Sequence, residues 1–309
     1  MKDWLKSFLA GIGIGVGSAV PGVSGGTIAV ILKEYEKIVW SISNIFKQFK
    51  KTVIYLLPIL IGVVLALIPT IYLMHKALNG FVFGIVCVFA GFIIGSFPSI
   101  KDEVKGQKIN KFHVITLIIS LLIAVSLGIT SALVSPDVTG MLTTPKWWVY
   151  LLLILIGIIA SVALVVPGIS GSMILLLIGF YRPLIDTTIN KVKSGINGNW
   201  SGIGEQIAIL GCFAIGIIIG FYFISKIMNF LLTKHRLITF YAIIGFIIGS
   251  TIALFFNHEI FEYYKMWANG QYISIPYYYE IPLGILLLVI CCALAYILVI
   301  YQRKNKKDE

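Results

Sequence analysis

Charge is scarce in this sequence. Of 309 residues only 12% are charged, 13 of them acidic, whereas 59% are hydrophobic and the mean hydropathy is +0.98. A soluble domain of that composition would have no way to hide its apolar surface from water, so soluble enzymes and binding modules are excluded as classes. Cysteine and histidine are equally thin, at four each. Cys87, Cys212, Cys291 and Cys292 fall within apolar segments without ligand spacing, and His75, His113, His235 and His258 stand far apart at segment ends. No metal centre, disulfide framework or redox compartment is read from them. A GxxxxGK[ST] phosphate loop, an HExxH pair and a hydrolytic cluster of Arg, Ser and His are all missing, so the sequence offers no catalytic residue and calls for no cofactor. Sustained apolar/polar alternation is missing too, which excludes a membrane β-barrel.

What the chain has in quantity is apolar length. Eight runs stand out, at Phe8–Leu32, Val53–Leu73, Phe81–Phe97, Val114–Val134, Trp147–Phe180, Ile207–Leu231, Leu237–Phe256 and Leu283–Tyr301. Most approach the ~20 residues a spanning helix needs, and they predict an all-α integral membrane protein. The net charge of +11 comes from lysines in the loops beside these runs. Topology and anionic membrane lipids account for it, and nucleic acid is not an expected partner. The amino-terminal apolar run reads as part of the membrane domain, not as a cleavable leader, because it recurs internally.

That recurrence sets the organisation. PGVSGGTIAVILKEYEKI from Pro21 matches PGISGSMILLLIGFYRPL from Pro167, at an offset of 146 residues, and GFIIGS occurs at Gly91–Ser96 and again at Gly245–Ser250, at an offset of 154. The expected units are repeat one over 1–135, repeat two over 146–303 and a basic tail over 304–309. Proline and glycine at each PG-x-SG motif break the helix and free backbone groups that lipid cannot satisfy, so these segments belong inside protein or in a cavity. Only about 14 apolar residues, Ser7–Val20, precede the first motif, which suits a half-helix that enters and turns back. With both motif segments re-entrant, each half crosses three times, and one side receives seventeen Lys and Arg against six on the other, with Lys226 inside a segment. The positive-inside rule then places both termini in the cytoplasm, and three crossings per half invert the second repeat relative to the first.

Two inverted hairpins bring their tips together near mid-membrane. The tips hold Ser24, Gly25, Gly26 and Thr27 in the first copy and Ser170, Gly171 and Ser172 in the second. Helix starts expose free N–H groups and partial positive charge, which suits an anion and phosphate above all; glycine admits it to the backbone and hydroxyls add donors. The same residues also suit close helix packing and capping, and both readings stay open here. Beside the tips lie Tyr35 with Glu34 and Glu36, and Tyr181 with Arg182. Arg182 is a candidate to attract an anionic headgroup, and the two acids are candidates to carry a proton, with an interfacial end of the hairpin as the plainer reading. Lys226 is expected to snorkel or to serve as a counter-ion. The aromatic stretch Asn257–Glu280 suits a segment lying at the headgroup level.

VPGVSGGTIAVILKEYE and VVPGISGSMILLLIGFYRP resemble the PopT family of polyprenyl-phosphate translocases over essentially the whole chain. The resemblance implies return of undecaprenyl phosphate from the outer to the cytoplasmic leaflet of a bacterial cell membrane, for reuse in peptidoglycan and other envelope polymers. It carries over to Pro21, Gly22, Ser24, Gly25, Gly26, Thr27, Tyr35 and Glu36, and to Pro167, Gly168, Ser170, Gly171, Ser172 and Tyr181. Ser18, Lys33 and Arg182 depart from the pattern expected of the family. A secondary transporter of a soluble anion is the alternative, distinguished by a closed aqueous cavity in place of a lateral opening for an acyl tail. No oligomeric state is read from the sequence.

Overall fold

Among the described residues every regular element is a helix, as lipid demands of a spanning backbone. The computed structural model describes residues 2–19, 24–78, 81–133, 138–169, 171–256, 258–271 and 276–305. In chain order the helices are α1 (Lys2–Ala19), α2 (Gly25–Ile31), α3 (Tyr35–Ser43), α4 (Phe49–Leu78), α5 (Val82–Lys101), α6 (Lys111–Leu133), α7 (Thr139–Thr143), α8 (Trp147–Val165), α9 (Gly171–Ile178), α10 (Tyr181–Ile196), α11 (Ile203–Lys234), α12 (Arg236–Ala253), α13 (His258–Ala268) and α14 (Tyr277–Asn305). Seven of them, α4, α5, α6, α8, α11, α12 and α14, are long and apolar enough to cross a membrane. The arm before the first motif is longer than its apolar run: α1 begins at Lys2, since helix geometry continues through the polar head where the hydropathy signal stops.

Helix boundaries recur at the two offsets of the sequence repeat. Ala19 and Val165 end α1 and α8, Gly25 and Gly171 begin α2 and α9, and Tyr35 and Tyr181 begin α3 and α10, each pair 146 residues apart. Ile203 lies 154 residues after Phe49, and Arg236 154 after Val82. The main packing pairs correspond in the same way: α1 lies along α4 as α8 lies along α11, and α5 lies along α14 as α12 lies along α6.

Glycine sets these contacts. A Cβ built on Gly91 of α5 would sit 2.4 Å from the Leu288 carbonyl oxygen of α14, and one on Gly245 of α12 would sit 2.3 Å from the Leu117 oxygen of α6. Each GFIIGS therefore lets its helix meet backbone directly. Gly11 against Ile59 and Gly157 against Phe213 do the same for α1–α4 and α8–α11.

Residues before and after each motif meet away from it. Lys6 in α1, Glu34 before α3 and Tyr55 in α4 meet at one end of the molecule. Arg236, at the start of α12, joins Glu36 and Glu103 at the ends of α3 and α5. α11 finishes just before Arg236, and its 32 residues span about 48 Å. At its far end Ile209 packs with Val149 and Leu153 of α8 and with Phe180 and Leu184 around the start of α10. The larger core takes residues from both halves, among them Val39, Ile93, Val165, Ile243 and Ile247. α13 presses Ile260 and Tyr263 into that core, so the aromatic stretch at Asn257–Glu280 is partly a packing element and not only a surface belt.

Candidate functional site

Ending α8 at Val165 leaves its last carbonyls without helical donors. The first motif supplies them. The Tyr35 hydroxyl donates to the Val165 oxygen at 2.9 Å, and the Ser24 hydroxyl reaches the Ala163 oxygen at 3.4 Å. In the opposite sense the Gly168 N–H donates to Thr27 Oγ1 at 2.9 Å, from a backbone at φ +86° that a side chain rarely adopts. A Cβ on Gly168 would also lie 2.4 Å from the Phe246 carbonyl carbon of α12. The two motifs thus meet, with Ser24, Thr27 and Tyr35 all buried. Burial, and after it the neighbouring Glu36 carboxylate, push the Tyr35 phenol above its ordinary value, so it keeps the proton it donates.

These bonds give the tip hydroxyls partners in the other motif. Ser24 has the extended conformation of an N-cap but makes no side-chain cap on α2. Ser24, Thr27 and Tyr35 join one broken helix to the other, and Gly25 and Gly26 line a cavity together with Ser18 and Tyr35. Of the second motif, Gly171 begins α9, Tyr181 begins α10, and Ser170 lies outside the described residues, as do the side chains of Ser172 and Arg182. Pro21 and Gly22 lie outside them too.

The cavity measures about 420 Å³ and runs from Gly25 and Gly26 between α4 and α11. Its walls are overwhelmingly apolar, with Ile59, Val63, Leu164 and Phe221 among them. One wall residue is chemically out of place: Ser225 of α11 is fully buried, and its hydroxyl has no hydrogen-bond partner among the described residues. On the other face of the α1–α2 hairpin a second apolar cavity of about 390 Å³ separates α2 from α14, whereas α9 packs directly on α6.

The two acids of the motif part company. Glu34 is 5% exposed, accepts the Tyr55 hydroxyl at 2.8 Å and lies 3.3 Å from Lys6 Nζ. Glu36 faces outward into an ion pair with Arg236, whose guanidinium also holds Glu103 at 2.8 Å. Lys226 is exposed, its Nζ 5.7 Å from the Tyr222 ring. Sequence reasoning missed Lys6, Tyr55, Ser225, Glu103 and Arg236. The only signal for Arg236 was its position just before the second-half counterpart of α5; a lone serine in an apolar helix carried none.

Comparison with known proteins adds to this geometry. Residues 14–272 match a family described as undecaprenyl phosphate translocase-like. A polyprenyl-phosphate transporter of Staphylococcus aureus (strain NCTC 8325 / PS 47) is 32% identical over 253 residues, covering 82% of this chain and 86% of that protein. A polyprenyl-phosphate transporter of Vibrio cholerae serotype O1 (strain ATCC 39315 / El Tor Inaba N16961) is 27% identical over 263 residues, covering 80% and 76%. No solved structure matches the chain.

Proposed function

The chain belongs to the undecaprenyl phosphate translocase-like family, and from that premise we propose that it carries a polyprenyl phosphate, undecaprenyl phosphate foremost, from the outer to the inner leaflet of a bacterial cell membrane for reuse in envelope synthesis. The observation that carries the reading is the apolar cavity that begins at Gly25 and Gly26 and runs between α4 and α11. A soluble anion needs a water-lined chamber; an isoprenoid tail needs hydrocarbon walls beside a place for its phosphate. In this reading the backbone of Gly25 and Gly26, with Ser170, Gly171, Ser172 and Arg182 from the second motif, receives the phosphate. Ser24, Thr27 and Tyr35 hold the two tips in register.

The recurring boundaries, the corresponding helix pairs and the return of the chain after each motif support two inverted repeats, 1–135 and 146–303, each a re-entrant hairpin with three crossings. The lysine-rich end is then cytoplasmic, with both termini there. Glu34, buried and flanked by Tyr55 and Lys6, is the better proton carrier of the two motif acids, because Glu36 is tied to Arg236. Reconstitution tests the function: vesicles holding the protein should move a labelled polyprenyl phosphate between leaflets faster than empty vesicles, and Gly25→Leu should abolish the gain at equal incorporation. Transport of inorganic phosphate without transport of the lipid would select the soluble-anion reading instead.

A further inference from the structure

Along one face of α11 the apolar pattern is interrupted. Tyr222, Lys226, Asn229 and Thr233 follow one another at helical spacing, and Lys234 ends the helix. They face the turn after α3, where Asn44 and Lys47 complete a cavity of about 410 Å³. This is a different face of α11 from the one that presents Phe221 and Ser225 to the apolar cavity. No acid lines it. The ion pairs among the described residues engage Lys6, Arg236 and Lys265, so Lys47, Lys226 and Lys234 have no carboxylate partner there.

Three ammoniums that line one cavity without a carboxylate partner among the described residues call for an anion, and their surroundings say which kind. Lys226 and Lys234 hold their charges over the Tyr222 and Phe230 rings, at 5.7 and 5.3 Å. Phe46, 80% exposed, packs edge-on against Tyr222 at the rim, and Phe223, Ile227 and Phe230 beside it are half exposed on a helix long and apolar enough to span. The mouth is therefore apolar at its rim and basic within. A free anion has no use for such a rim, whereas a phosphate tethered to a hydrocarbon chain fits both parts. A monoester carries about −1.5 to −2 charges near neutral pH, against one for a phosphodiester lipid, which suits three lysines better.

We propose that the cavity of Lys47, Lys226 and Lys234 docks the phosphate monoester headgroup of a polyprenyl lipid at the basic end of the protein, as the station where it leaves or enters the leaflet there. The dock rests on the transport reading, and the experiment keeps the two apart. Wild type and the triple variant Lys47→Gln, Lys226→Gln, Lys234→Gln are placed in phosphatidylcholine nanodiscs and titrated with a labelled short-chain isoprenyl phosphate. The triple variant should bind roughly tenfold more weakly or worse, since each lost charge weakens a partly desolvated attraction. Lys226→Arg should retain binding, and neither the isoprenyl alcohol nor inorganic phosphate should compete. Affinity of the triple variant within about twofold of wild type would overturn the dock, on the same charge argument. So would equal competition by phosphatidylglycerol, which would make the cavity a site for bulk anionic lipid. If wild type transports the lipid while the triple variant binds and transports it equally well, only the dock falls. If wild type neither binds nor transports it, the transport reading falls and takes the dock with it.

Discussion

Ser225 concentrates the argument at the scale of single residues. A buried hydroxyl without a partner costs about 1–3 kcal/mol, and this one, on the wall of the apolar cavity, would find a partner in a lipid phosphate or in water that follows it. Ser225→Ala should therefore unfold at an equal or higher temperature in detergent, while transport in vesicles falls several-fold; lower stability with unchanged transport would make the hydroxyl structural. Lys33 presents the complementary case. It follows the C-cap of α2 at φ +60°, where the second copy has Gly179 at +83°, and a left-handed backbone costs a lysine about 1–2 kcal/mol. Lys33→Gly should raise the thermal midpoint and leave transport intact. A fall in transport on that change would show that the charge, not the strained turn, is what the position provides.

At the scale of elements, small residues set which helices touch. Gly91 on α5 and Gly245 on α12 meet the backbones of α14 and α6, with no room for a methyl. Gly91→Ala and Gly245→Ala should each cost about 1–3 kcal/mol through overpacking, read as a loss of thermal stability that transport follows only through the folded fraction. Much of this was legible beforehand: the broken helices at PG-x-SG, the repeat of GFIIGS and the crossing helices all follow from breakers and apolar length, which are local properties. The partnerships were not. Ser24, Thr27 and Tyr35 bond groups 130 to 141 residues away, and Arg236 joins Glu36 across 200, so no spacing in the sequence could reveal that the tip hydroxyls hold the two motifs together. The same holds for Glu34 and Glu36, two residues apart in sequence yet opposite in burial, because the return of α2 places one beneath Lys6 and turns the other outward.

In the proposed function the whole molecule moves charge through a membrane, and its topology and energy source are tied together. Single cysteines at positions 47 and 108, in a background without native cysteines, should react only from the cytoplasmic side and one at 191 only from outside; reaction of 47 and 108 from the same side as 191 would remove the re-entrant hairpins. In the proposed direction the phosphate travels toward a negative interior, and each elementary charge opposes the field by about 2.3 kcal/mol per 100 mV. Protons, or a gradient of the lipid itself, are the two sources of that work that the following test separates. Glu34 is the residue through which protons would act: its carboxylate is shielded from bulk water but touches Lys6, which is exposed, and the Tyr55 hydroxyl. Protonation would remove the charge that holds Lys6 and free the base of the hairpin, whose far side is already flanked by cavities on both faces of α1 and α2. In vesicles with equal lipid in both leaflets, a pH step should then shift the headgroup distribution, and reversing the step should reverse the shift. Glu34→Gln, fixed in a neutral form, should keep exchange between leaflets but lose the response to pH, whereas Glu36→Gln should keep both. If steps of either sign leave the distribution unchanged in wild type, and Glu34→Gln transports as wild type does, the protein is a passive facilitator driven by consumption of the lipid at the inner face.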